Sequence, residues 1–310
     1  MNFFRAFLSV LLAAVSTASL FAQDSFITFD HQTGHILNSK NPNDRRQVAS
    51  LTKIALGVVT LDAAELKLIS MSELAQVPQA ALSTGGMNPA GLQAGDLLTL
   101  RDLLYCSLMA SDNIAAYSLA HHVGKKLTNP TRLDPVGNFV SHMNALARNL
   151  QMKKTLFLNP HGIDNIEGTI PYSTAADIGR LTRYAYSDAD FRFFVSQKSR
   201  SVEVSRNGSQ ISANIENTNQ LVGQDGIDGV KTGMTAKAGY CLVLSSWKNP
   251  EVVRHNDGVV QTPRRIVTVI LGADNNESRF SIGLQMIRQG WSLYDQWAAG
   301  GRQVSKGNSL

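Results

Sequence analysis

Val48-Ala49-Ser50-Leu51-Thr52-Lys53-Ile54-Ala55 is the stretch whose reading decides the fold. A serine is followed three residues later by a lysine, and a mostly apolar run over 54–61 continues without proline, so the pair stands where a buried helix begins. Positions i and i+3 share a helix face. That sets the Ser50 hydroxyl beside the Lys53 amine at a helix N-terminus, where unpaired N–H groups and the positive dipole end favour an anion. A serine nucleophile needs both: a base within reach and a place for negative charge to develop. The same spacing recurs at Ser245-Ser246-Trp247-Lys248. That copy lies in a strand-like run, 240–247, where residues three apart point to opposite faces. Spacing alone does not make either pair catalytic, so the rest of the chain has to decide.

With 310 residues, 43% hydrophobic and 17% charged, the chain is globular and long enough for one large domain or two lobes. Residues 1–22 read as a secretory signal: Arg5 in a short basic start, an apolar run over 6–15, then small and polar residues. The run is too short to span a membrane. Cleavage after Ala22 competes with cleavage after Ala18, and no cysteine follows either site to carry a lipid anchor. Removing Arg5 and no acid takes the net charge from +5 to +4. Basic residues cluster only as pairs such as Arg45-Arg46 and Arg264-Arg265, which speaks for solubility and a mild attraction to anionic surfaces, cell wall included, and against nucleic-acid binding. Cys106 and Cys241 lack metal-ligand spacing. Each sits in an apolar run and reads as a buried free thiol, with pairing left open in an exported chain.

Beyond the signal, 26–29 and 35–37 read as a hairpin around a turn at 30–34, and the Ser50 helix runs to about Leu68, too apolar all round to lie on a surface. Residues 71–96 are rich in Gly, Pro, Ser and Asn and read as loop. Helices are expected over 97–109, 114–123, 141–151 and from a Ser173 cap to Tyr186. Strands are expected over 227–232, 239–247 and 266–271, with a loop between the last two, and a final amphipathic segment, 280–297, covers one face of that sheet. The fold class is thus α/β of the α+β type: an antiparallel sheet built from both chain ends, flanked by helices, with an inserted, mostly helical lobe at about 50–225.

A cleft between sheet and lobe draws on three places. Ser50 and Lys53 start a helix, Ser111 and Asn113 sit in a helix–helix turn, and Lys231-Thr232-Gly233 lies on a strand. In that order and setting, the three resemble the motifs of the penicillin-recognising serine enzymes, and within them the chain is similar to the D-alanyl-D-alanine carboxypeptidase family. Further matches are Asp30 with Thr33-Gly34, Asn159-Pro160-His161-Gly162, Tyr172-Ser173-Thr174-Ala175, Asn217-Thr218-Asn219, Ala238-Gly239-Tyr240 and Arg279. Val48 and Ile114 depart from the pattern, which commonly has proline and aspartate there.

The resemblance implies a peptidase domain over 23–298 and a polar tail over 299–310, with no room for the second domain and membrane-binding helix of many family members. It implies an exported, soluble, periplasmic or extracytoplasmic enzyme without a stable membrane anchor, metal or cofactor. The substrate would be peptidoglycan stem peptides ending in D-Ala-D-Ala, with β-lactam antibiotics as covalent inhibitors. Ser50 would be acylated and Lys53, if desolvated near Lys231, would take its proton. Ser111 would protonate the leaving group, and Asn113 would bind both the substrate amide and Lys53. The oxyanion would rest on the Ser50 and Met234 N–H groups, and Thr232 and Arg279 would meet the terminal carboxylate. His161 reads as structural, and His121-His122 has neither the spacing nor the acid of a zinc protease. An endopeptidase cutting cross-links is the alternative. A β-lactamase, suggested by Asp112, would need a glutamate where Thr155 stands, and a silent wall-binding protein would not need the intact Ser50, Lys53 and Lys231 set.

Overall fold

The computed structural model describes residues 25–131, 133–164, 168–255, 258–305 and 307–310; the proposed signal at 1–22 lies outside them. Both chain ends build one sheet. β1 (Ser25–Asp30) and β2 (Ile36–Lys40) form the opening hairpin, and β7 (Ile227–Thr235), β8 (Gly239–His255) and β9 (Gly258–Ala273) form the closing meander. The five strands run antiparallel in the order β2-β1-β9-β8-β7, which leaves β7 on an edge.

Period-2 alternation splits the side chains of this sheet between two cores. Leu242, Leu244, Ile266 and Ile270 face the final helix, α7 (Asn276–Ala299), and meet its Ile282, Met286, Ile287 and Trp291. Cys241, Val243, Val267, Val269 and Leu271 face the lobe. Full burial of one such side chain contributes about 1.5–3 kcal/mol. Gly290 does not interrupt α7: a Cβ there would lie 2.9 Å from both Ile266 Cδ1 and Thr28 Cγ2, so the helix lies close on the sheet at this point. The helix starts a turn earlier than its apolar pattern because Asn275 and Ser278 form a capping box.

Between the sheet's two halves lie α1 (Lys53–Glu65), α2 (Leu100–Leu108), α3 (Asn113–Gly124), α4 (Pro135–Asn149), α5 (Ala175–Ala185) and α6 (Ala189–Ser196). α1 is buried on all sides over its first nine residues. Three boundaries in the lobe differ from expectation for reasons of capping. α2 begins at Leu100 and not at 97, because Thr99 accepts from the N–H of Asp102 and 97–99 are extended. α4 begins at Pro135 because Asp134 accepts from the N–H groups of Val136 and Gly137. Thr174, not Ser173, caps α5; Ser173 is held instead by a two-way backbone pairing with Arg46 and by the Thr155 hydroxyl.

The lobe also holds a sheet that its sequence did not announce: β3 (Leu74–Gln76), β4 (Leu97–Thr99), β5 (Ser199–Arg206) and β6 (Ser209–Glu216), in that order. The presumed loop at 71–96 carries β3, and the presumed loop at 248–263 is a ladder in which β8 and β9 continue, from Lys248 paired with Arg264 to His255 paired with Gly258. At the C-terminus, Leu310 donates to Gly34 O and Asn308 O accepts from Ile36, so the polar tail packs along the opening hairpin. Among the described residues no helix is long and apolar enough to cross a membrane. Cys106 and Cys241 are both buried and unpaired.

Candidate active site

Ser50 sits in a 3-10 turn, Ala49–Thr52, that runs straight into α1. The turn brings i and i+3 together as the spacing requires: Lys53 Nζ lies 2.9 Å from Ser50 Oγ. Two other acceptors surround the same nitrogen, Asn113 Oδ1 at 2.7 Å and the His161 carbonyl at 2.9 Å. An ammonium would satisfy all three with its three hydrogens. A neutral amine would give two hydrogens to the amide and the carbonyl, and its lone pair would then face the serine hydroxyl. Burial pushes Lys53 down to about 7, although the Asp112 carboxylate pulls the other way. The neutral form is therefore populated near neutrality.

Ser111 and Asn113 flank the start of α3. Asp112 is the N-cap, accepting from Ala115 N and also from Ala90 N across the turn; burial raises its carboxyl to about 6. Ser111 takes φ +61, a left-handed conformation, and is buried. Asn113 is pinned from the far side by Gly85 O, which accepts its Nδ2 at 3.0 Å. Thus Asp112 is explained by capping.

β7 brings the third group. Lys231 is fully enclosed, donates to Thr232 O at 3.0 Å, and is pushed well below its ordinary value by burial, then by the neighbouring Lys53 and Arg279 charges. Thr232 Oγ1 donates to Thr218 Oγ1 at 2.7 Å. Gly233 is required by close approach: a Cβ there would stand 3.0 Å from Val48 O and 3.1 Å from Ser50 N. That contact places the serine's own N–H against the strand on which Met234 follows, with its side chain exposed. Arg279, from the first turn of α7, reaches under the strand to donate to Gly233 O at 3.1 Å, and its Nε is buried without a partner.

The structure thus gathers Ser50, Lys53 and Asn113 through direct hydrogen bonds, and joins Gly233 and Arg279 to them through β7. It separates the Ser245 copy: Ser245 contacts Arg265, while Lys248 lies over the Trp291 ring and pairs with Asp295. Two main-chain contributors escaped the sequence, the Gly85 carbonyl that holds Asn113 and the main chain of His161. Its imidazole, lowered to about 3 by burial, accepts from Ile163 N and stays neutral, whereas its carbonyl touches Lys53. The Asn159-Pro160-His161-Gly162 turn was the available signal. Asn159 Oδ1 accepts from Gly162 N, and Gly162, at φ +84, leaves no room for a Cβ, which would lie 2.0 Å from Ala49 O.

The D-alanyl-D-alanine carboxypeptidase family model matches residues 13–260. The chain belongs to that family. Bacillus subtilis D-alanyl-D-alanine carboxypeptidase DacF is 28% identical over 272 residues, covering 87% of this chain and 62% of the relative. D-alanyl-D-alanine endopeptidase from Escherichia coli is 31% identical over 256 residues, covering 78% of this chain and 73% of the relative. The solved Streptomyces K15 DD-transpeptidase superposes with a TM-score of 0.73 at 27% identity, covering 86% of this chain and 96% of that one. The chain spans about three-fifths of the length of the first carboxypeptidase relatives it matches.

Proposed function

We propose that this family member is a serine-type D-Ala-D-Ala carboxypeptidase that removes the terminal D-alanine from peptidoglycan stem peptides. The observation that carries the reading is the Lys53 nitrogen, 2.9 Å from Ser50 Oγ with its other directions taken by Asn113 and His161. Neutral Lys53 takes the hydroxyl proton as Ser50 Oγ bonds to the carbonyl carbon of the penultimate D-alanine. The oxyanion is held by the N–H groups of Ser50 and Met234, each worth about 3 kcal/mol in such sites. The C–N bond then breaks as the proton held by Lys53 is passed through the Ser111 hydroxyl to the leaving amine, which returns Lys53 to its neutral form, and D-alanine departs. Thr232 and Arg279 receive its carboxylate. Water releases the acyl-enzyme. β-Lactams would acylate Ser50 in the same way, and the protein would act outside the cytoplasm.

A second reading is favoured by the comparisons: the endopeptidases from Escherichia coli and Pseudomonas aeruginosa are 31% and 32% identical, and the chain covers 73% and 68% of them. Incubation with a pentapeptide and with a cross-linked muropeptide, followed by product mass, separates the two. Release of D-alanine from the pentapeptide is expected; cleavage of the cross-link alone would overturn the carboxypeptidase reading in favour of the endopeptidase.

A further inference from the structure

A groove of about 790 Å³ opens between 43–47, the segment that leads into the Ser50 turn, and 237–238, the segment that follows β7. Its charge is one-sided. Arg45, Arg46, Lys154 and Lys237 line it against a single acid, Asp44. Arg45 is held by the Tyr172 ring, 4.6 Å from its centroid, and Lys154 by the Asn43 carbonyl at 2.9 Å. Arg45, Lys154 and Lys237 have no carboxylate partner among the described residues. Gln47, in the same wall, has a buried Nε2 without an acceptor. The groove therefore presents an excess of positive charge and donors over its one carboxylate, which suits a carboxylate-bearing ligand.

Its position says which ligand. β7 is an edge strand, buried over Gly229–Gly233 and exposed at Met234, and an edge of this kind can pair with an extended peptide. With the scissile carbonyl at Ser50, the leaving amine lies toward Ser111, Lys231 and Thr232. The acyl arm of the peptide then runs the other way, past Met234 and Thr235 to the turn at 236–238, where the groove begins. We infer that this groove is an anionic subsite for the acyl arm, binding a free carboxylate of the stem peptide on the N-terminal side of the scissile bond. The inference rests on the peptidase reading and adds to it a preference among substrates.

The test compares kcat/KM for L-alanyl-γ-D-glutamyl-L-lysyl-D-alanyl-D-alanine and for the same peptide with the glutamyl α-carboxylate amidated. The wild type should prefer the acidic peptide by about tenfold, the scale of one or two partly exposed ion pairs. The preference should fall toward unity in Arg45→Glu with Lys237→Glu, both at exposed positions, and survive in Lys125→Glu at the remote end of α3. Equal rates for the two peptides in the wild type, or a preference kept by the double variant, would overturn the subsite while D-alanine release leaves the peptidase reading standing. Inhibition of both peptides alike by inorganic polyphosphate, without a peptide preference, would assign the groove to a wall polyanion and overturn it too. Failure of either peptide or of penicillin to react would overturn the peptidase reading, and the subsite with it.

Discussion

At the scale of single residues, the proposed chemistry turns on Lys53. An ordinary lysine at 10.5 would be neutral in only about one molecule in three thousand at pH 7; burial brings Lys53 to about 7, where half are neutral. Because the base must be neutral to accept the Ser50 proton, acylation by penicillin should rise with pH through about 7 and then level, a limb read by stopped-flow labelling. Lys53→Met should lower the acylation rate by about 10²–10⁴-fold. At the neighbouring histidine only the carbonyl acts, so His161→Asn should keep a neutral-pH limb, while Gly162→Ala, forced against Ala49 O at φ +84, should lower the melting temperature sharply. Ser50, Lys53 and Lys231 were legible because side-chain chemistry is written in residue types. The carbonyls of His161 and Gly85 were not, since any residue can supply one.

At the scale of elements, the site depends on β7 lying against the Ala49–Thr52 turn. Gly233→Ala would wedge a methyl group 3.0–3.2 Å from Val48 O, Ser50 N and Ala49 Cβ, so its acylation rate should fall more steeply than its thermal stability. Asp112→Ala removes the α3 cap and should cost about 1 kcal/mol in denaturant unfolding. The long antiparallel strands and α7 could be read from valine, isoleucine and leucine alternation. β3 and β4 could not, because three residues each carry no period. β5 did alternate, with Val202 and Val204 buried between exposed neighbours, but the serines and charges of β6 gave it no apolar partner. The β8–β9 ladder past Lys248 was hidden by Asn249 and Pro250, near which its register shifts.

Over the whole molecule, the chain threads from sheet to lobe and back, so that residues 50, 53 and 113 hydrogen-bond to one another beside the strand that carries residue 231. The outer β8–β9 ribbon stands apart from that meeting point: β7 pairs no further than Ser246 and β1 no further than Ile266. Replacing 249–262 by a tight turn should leave the penicillin acylation rate unchanged, as measured on the purified variant. The chain contains two Ser-x-x-Lys pairs, and in only one does the lysine reach the serine. The most direct measurement is therefore intact mass after incubation with benzylpenicillin, followed by peptide mapping, for wild type and Ser50→Ala. One adduct per wild-type molecule, carried by Ser50 and absent from Ser50→Ala, is the expected result. No adduct on the wild type, or one that persists in Ser50→Ala, would contradict the assignment of Ser50 as the nucleophile.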